Sequence, residues 1–138
     1  MLWPLLLRGR KQKDSKLIRW VLEVLIEFSK NLNNYDAILE LKKEDGRDVM
    51  LAVLESLMNY ENPEVARQVV LILKNFSGSD VALRRLREKG IIERCMRLKL
   101  KELGSKSELC VLEMICNACS FSKVRQDAME SHFVKQVF

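Results

Sequence analysis

The sequence predicts an all-α chain, and three observations support this fold class. Its 138 residues include only five glycines and two prolines, too few for the many turns of an all-β domain. Leucine, lysine, glutamate, arginine and methionine, which favour helices, are common throughout. From Lys16 onward, apolar residues recur at the three- and four-residue spacing of an amphipathic helix.

Apolar stripes and polar breaks predict the helices of the first half. One stripe runs from Leu17 to Phe28 and ends before the polar segment 31–34. A short apolar pair at residues 38 and 41 follows, and a further helix covers residues 49–57. Each of these segments has one apolar face and one polar face, so each is expected to pack its apolar face on a shared core.

Asn62 marks the clearest helix start in the chain. Its side chain can cap the helix, Pro63 suits the first turn, and Glu64 favours the positive end of the helix dipole. An apolar stripe continues to Phe76, and the polar residues 77–79 end the helix.

Shorter helices are predicted in the second half. Asp80 is a candidate N-cap for a short helix that ends at Gly90. The next helix begins at Ile91 and is broken at residues 104–105. A long helix follows to Ala118, and a final short pair covers residues 122–138.

The order of these helices repeats along the chain. Residues 73–77 (Leu-Lys-Asn-Phe-Ser) align with residues 115–119 (Ile-Cys-Asn-Ala-Cys) at a shift of 42, and an earlier, weaker copy aligns at a shift of 48. Periods of this size are typical of stacked helical units that share one continuous core. We therefore expect a right-handed α-solenoid of about three units (16–61, 62–104 and 105–138), incomplete at both ends, after a basic, poorly ordered lead-in over residues 1–15.

Residues 75–92, Asn-Phe-Ser-Gly-Ser-Asp-Val-Ala-Leu-Arg-Arg-Leu-Arg-Glu-Lys-Gly-Ile-Ile, resemble the consensus of the armadillo repeat family. In that family a long third helix ends in an Asn-Leu-Ser-like turn, and a short helix closing on Glu-x-Gly follows. Gly46 and Gly90 match the sharp turn of that pattern. The resemblance covers roughly residues 16–138 and is closest over 62–98, with the similar HEAT repeat as an alternative.

The resemblance implies a groove that holds an extended peptide. In importin-like members the asparagine of the third helix bonds the peptide backbone, and Asn75 and Asn117 match that position. An amide suits this task because it both donates and accepts, although the two amides could instead bond a neighbouring carbonyl or cap a turn. Leu71 and Glu113 stand where the importin-like pattern has tryptophan, so recognition of importin-type cargo is not expected.

A basic region is the second candidate binding surface. Residues 84–106 hold nine bases against three acids, within a chain of net charge +5. Arg94, Arg97 and Lys101 are predicted to share one helix face by their spacing. The face is either simply solvated or binds an acidic partner segment. RNA or an acidic membrane surface is the rival ligand, although no aromatic residues interleave with the bases for stacking on single strands.

Enzymatic and metal chemistry find little support. The chain has one histidine, His132, so no convincing set of nucleophile, base and orienting group is apparent, and it has no glycine-rich phosphate loop. Cys116 and Cys119, with Cys110 nearby, lie one helical turn apart and lack a second pair for tetrahedral zinc. We predict no catalytic residue, cofactor, metal or small-molecule substrate. The four cysteines fit a reducing compartment rather than a disulfide framework.

These observations predict a non-enzymatic scaffold or adaptor that binds an extended or acidic partner segment. We expect a cytoplasmic protein, with the nucleus as the alternative compartment. The family resemblance is also compatible with a part of a larger cytoskeletal, centrosomal or ciliary scaffold. No apolar window is long enough to span a membrane. Neither end supplies a unit with a polar outer face, so we expect a fragment or truncated isoform that packs against further repeats. The rival hypothesis is a basic solenoid that binds RNA or acidic membranes.

Overall fold

The structure is a computed structural model that describes residues 3–31 and 49–119. Within these ranges the chain is all-α, since about four fifths of the residues are helical and none forms a strand. The helices are α1 (Trp3–Lys11), α2 (Ser15–Ser29), α3 (Val49–Leu57), α4 (Pro63–Phe76), α5 (Asp80–Glu88), α6 (Ile91–Met96), α7 (Leu100–Leu103) and α8 (Ser105–Ala118).

Helix α4 begins and ends where its sequence predicts. The Asn62 side chain accepts a hydrogen bond from the Glu64 N–H at 2.9 Å, which satisfies one of the unpaired donors of the first turn. Pro63 occupies the first turn, where its missing N–H has no intrahelical partner to lose. The helix ends at Phe76, and the Ser77 N–H donates back to the last turn.

A single apolar core receives side chains from each described helix. Helix α4 lies between α2 and α8 and packs along both. Near the C-terminal ends, Asn75 of α4 bonds Ser29 of α2, and nearer the N-terminal ends Gln68 bonds the Arg19 carbonyl. The N-terminal parts of α2 and α4 lie together, and so do their C-terminal parts, so the two helices run in the same direction. Helix α1 packs on α2 and α3, and α7 packs on α8.

Helix α1 occupies residues 3–11 of the segment that the sequence predicted as a basic, poorly ordered lead-in over residues 1–15. Leu6 is fully buried in the core, so the apolar start of the chain docks rather than trailing in solvent. Lys13 then adopts a positive φ of 53°, and the Asp14 carboxylate accepts a hydrogen bond from Leu17 N–H to begin α2. The sequence concealed this helix because its apolar stretch is short and is followed by bases.

Two further predictions are wrong in detail. Helix α5 begins at Asp80, with Ser79 in the N-cap position. The helix predicted from Ile91 to residues 104–105 is interrupted, because α6 ends at Met96 and the chain bends before α7. The bend buries Leu100 fully in the core. Burial of that side chain offsets the interrupted backbone hydrogen bonds, a balance that local spacing does not reveal.

Several predicted features lie outside the described residues. They are the short stripe at residues 38–41, the turn at Gly46, His132 and the final helical pair over 122–138. The first and third predicted units are therefore described only in part.

Two glycines in the described part of the chain adopt positive φ, and they differ in backbone conformation. Gly90 (φ 70°, ψ 15°) lies in the left-handed region that asparagine tolerates, whereas Gly104 (φ 104°, ψ 166°) lies in a region almost confined to glycine. A Cβ at either position would meet no atom within 4 Å. Backbone strain alone therefore sets the effect of a substitution.

We expect Gly104→Asn to lower the free energy of unfolding by about 1–3 kcal/mol. Gly90→Asn is the matched control and is expected to lower it by less than about 1 kcal/mol, since asparagine visits the left-handed region routinely. Urea denaturation followed by circular dichroism measures both values. Equal losses for the two variants would contradict this assignment of strain.

Candidate protein-binding site

The two predicted groove asparagines each bridge neighbouring helices. The Asn75 Nδ2 donates to the Ser29 Oγ at 2.9 Å, and the Asn117 Nδ2 donates to the Ser77 Oγ at 3.1 Å. One asparagine–serine bond thus joins α4 to α2, and a second one joins α8 to the end of α4. The sequence left open a structural role in which the amides bond a neighbouring carbonyl or cap a turn; the partners found are instead serine hydroxyls of neighbouring helices.

The two serines are oriented to accept these bonds. Ser29 and Ser77 are buried, and each hydroxyl donates its proton to a carbonyl three residues earlier, at 2.9 Å to Ile26 and 2.6 Å to Lys74. The serine oxygen therefore presents a lone pair to the asparagine. Each bond uses one N–H of an amide that has two N–H groups and a carbonyl oxygen, so capacity to bind a ligand remains.

A groove of about 500 Å³ lies between α2, α4 and α8. Its apolar lining includes Leu71, one of the predicted site residues, together with Ile26 and Leu103. Leu71 is partly buried and packs on the core. Leu71 stands where the importin-like pattern has tryptophan, and its side chain gives the groove an aliphatic wall.

Charged side chains of both signs surround the groove. Arg67 is fixed in its wall, because its Nε donates to the Leu103 carbonyl at 2.6 Å and its guanidinium pairs with Glu64 at 2.9 Å. Glu23 and Lys106 also line the groove. This mixed lining fits a polypeptide segment better than a ligand that carries charges of one sign.

Gln68 is a groove residue that the sequence did not single out. It is 8% exposed, and its Nε2 donates to the Arg19 carbonyl at 3.2 Å. Its Oε1 is buried without a hydrogen-bond partner in the described part of the chain. A buried carbonyl without a donor costs about 1–3 kcal/mol, so this is a strained point of the helix contact. Its signal in the sequence is a polar residue inside the apolar stripe of α4.

Glu113, the fourth predicted groove residue, lies on the exposed side of α8. Its Oε2 is 3.5 Å from the Lys74 Nζ, and both side chains are substantially solvated. Such an ion pair contributes little to stability. It does place a carboxylate and an ammonium group beside the asparagines of α4 and α8.

Arg94, Arg97 and Lys101 are exposed, but they do not share a helix. Arg94 lies on α6, Arg97 follows its end, and Lys101 lies on α7. The prediction of one basic helix face is wrong because the chain bends between residues 96 and 100. None of the three lines the groove between α2, α4 and α8.

The cysteines form no disulfide. Cys116 is exposed, whereas Cys95 and Cys110 are buried. Burial raises the pKa of Cys95 from an ordinary 9.0 to about 12, and burial also raises the pKa of Cys110. Within residues 3–31 and 49–119, no group of three or more His, Cys, Asp or Glu side chains is placed to hold a metal ion.

None of the helices described is both long and apolar enough to cross a membrane. Comparisons with protein-family models, with curated proteins and with solved structures found no match.

The asparagine–serine bonds predict a measurable coupling between helices. We expect Asn75→Ala and Ser29→Ala to show a double-mutant coupling energy of about 0.5–1.5 kcal/mol, since the bond is short and its acceptor is buried. The matched cycle on Asn117 and Ser77 should give a smaller value, because Asn117 is exposed. Urea unfolding measures both cycles. Zero coupling for Asn75 with Ser29 would show that this bond does not hold the helices together.

The raised pKa of Cys95 predicts how stability changes in alkali. Above pH 9 the unfolded chain loses this thiol proton, while the folded chain retains it until about pH 12. Stability from this group is therefore complete below pH 9 and lost as the pH rises through that window. We expect the free energy of unfolding to fall more steeply between pH 9 and 11 in the parent chain than in Cys95→Ala, by up to about 1.4 kcal/mol per pH unit. Cys116→Ala is the exposed control and should keep the parent slope; a parent-like slope in Cys95→Ala would rule out this linkage.

Proposed function

We propose that the chain is a non-enzymatic scaffold that binds a segment of a partner protein along α2, α4 and α8. The observation that carries the proposal is the asparagine–serine contact made twice between successive long helices. Stacked repeat units use the same contact between neighbours at each step. In this proposal the fold is an α-solenoid of armadillo type, and the three long helices line its concave surface.

The groove and the two asparagines together supply the chemistry that an extended peptide requires. Asn75 and Asn117 lie outside the lining of the groove, toward the C-terminal ends of α4 and α8. Each retains an N–H and a carbonyl oxygen that can pair with a peptide unit of the partner. Leu71 and Ile26 offer an aliphatic wall for one of its side chains, and Lys74 beside Glu113 offers both charges. An extended segment with alternating apolar and polar residues, or an acidic segment that pairs with Lys74, fits this surface.

The proposal includes no catalytic step. Cysteines that form no disulfide support a reducing compartment, such as the cytosol or the nucleus. Further repeats of a longer chain, or a cytoskeletal, centrosomal or ciliary assembly, are compatible settings for such a scaffold.

Selection of peptides from a displayed random library, followed by fluorescence anisotropy, tests the groove. We expect Asn75→Ala combined with Asn117→Ala to weaken a selected peptide about tenfold or more, because two hydrogen bonds of about 1 kcal/mol each are lost. Asn59→Ala, at an exposed asparagine between α3 and α4, should leave affinity unchanged.

A matched control separates binding from helix register. Ser29→Ala combined with Ser77→Ala breaks the same two helix contacts but keeps both amides. If this variant retains peptide affinity, the amides themselves contact the peptide. If it weakens the peptide as much as the asparagine variant does, the amides act through the fold and the groove proposal fails.

One observation favours a second function. Arg94, Arg97 and Lys101 are exposed on consecutive segments, so a basic surface that binds RNA or acidic membranes is the rival proposal. Binding to a single-stranded RNA or to phosphatidylserine vesicles should then weaken steeply with salt. Reversal of the three bases to glutamate would abolish such binding and leave peptide affinity intact. Salt-insensitive peptide binding, with no response to vesicles or RNA, excludes the rival.

A further inference from the structure

Helix α2 exposes a large apolar face. Trp20 is 57% exposed and Phe28 is 49% exposed, and the partly buried Leu17 and Val24 lie on the same side of the helix by their spacing. Contiguous exposed apolar surface of this kind marks an interaction site more often than an isolated exposed residue does.

The internal repeat identifies what covers the equivalent face one unit later. A shift of 48 residues aligns Leu17 with Val65, Trp20 with Gln68, Val24 with Ile72 and Phe28 with Phe76. These four residues of α4 are all buried. Gln68, the counterpart of Trp20, contacts α2 through the Arg19 carbonyl. The exposed face of α2 therefore corresponds to the face of α4 that packs on α2.

Helix α8 carries the complementary open face. The side of α4 that meets α8 is marked by Ser77, which bonds Asn117, and by Lys74, which pairs with Glu113. When the two helices are aligned at a shift of 42 residues, this side of α4 corresponds to the outer side of α8, and Lys74 aligns with Cys116. Cys116 is exposed there.

The same alignment places Trp20, on the open face of α2, opposite Leu109, on the open face of α8. Arg19, whose carbonyl Gln68 contacts, aligns with Arg67 at a shift of 48 and then with Leu109 at a shift of 42. Leu109 is 54% exposed on α8. A helix seated on α8 as α4 is seated on α2 would therefore put its Trp20 equivalent against Leu109.

We propose that two copies of the chain associate head to tail, with the α2 face of one copy packed on the α8 face of the next. A second copy is the fitting occupant because its α2 aligns with α4, and α8 aligns through α4 with α2, so the two open faces match the two sides of a helix pair already packed within the chain. The asparagine–serine bond is not reproduced, since Glu27 and Cys119 stand at those positions, and the apolar pair of Trp20 and Leu109 takes the place of the Gln68 contact. Trp20 of one copy then buries against Leu109 of the other. The contact is heterologous, so each pair retains one open face at either end and can extend into linear assemblies. This inference does not rest on the proposed peptide groove.

Sedimentation velocity of the full chain over a range of concentrations tests the association. We expect the mass to grow with concentration from one chain to two and more. Trp20→Glu and Leu109→Glu should each sediment as one chain, because each removes one half of the contact. An equimolar mixture of the two variants should form pairs and no larger species, since each variant keeps one intact face.

Val81→Glu is the matched control, because Val81 is 57% exposed on α5 and belongs to neither face. It should associate as the parent chain does. Urea unfolding of all three variants confirms that they fold, and their affinity for the selected peptide reports on the groove separately.

Three results would overturn the proposal. One is a parent chain that stays a single chain at the highest concentration reached. Another is a Leu109→Glu variant that still pairs, which would indicate a symmetric contact between two α2 faces. The third is a mixture of Trp20→Glu and Leu109→Glu that forms no pairs although both variants are folded.

Discussion

The packing of α4 between α2 and α8 determines where the other features of the molecule lie. Eight residues of α4 are buried, and burial of a large apolar side chain is worth about 1.5–3 kcal/mol. That apolar contact holds the three helices together, but it is non-directional and tolerates sliding. The asparagine–serine bonds are individually weak and depend on geometry. They fix the register, so that Leu71 and Lys74 come to lie beside α8.

In the proposed function the same amides serve both the fold and a ligand. Asn75 and Asn117 each use one N–H on a serine whose hydroxyl is already committed to its own helix. That arrangement fixes the orientation of the amide before a ligand arrives. A prearranged amide loses less side-chain entropy on binding. Gln68 differs from the two asparagines. Its Nε2 donates to the Arg19 carbonyl, but its Oε1 is buried without a hydrogen-bond donor among the described residues.

Sequence patterns predicted those elements whose signals are local. Asn62 and Pro63 fixed the start of α4, and the left-handed turn at Gly90 fell where the short helix was expected to end. The patterns did not predict α1 or the bend between α6 and α7. Leu6 and Leu100 are buried in a core that all the described helices share, and the packing of helices on one another decides that burial. No spacing rule within a window of ten residues contains that information.

Composition and periodicity by themselves determined that this protein is helical and that its helices recur at 42 to 48 residues. They also selected Asn75 and Asn117 as equivalent positions. Only the tertiary structure decided that these amides meet Ser29 and Ser77, that Arg94 and Lys101 lie on different helices, and that Trp20 is left uncovered. The physical reason is that periodicity follows from the backbone of one helix, whereas exposure and pairing depend on which other helix packs against it.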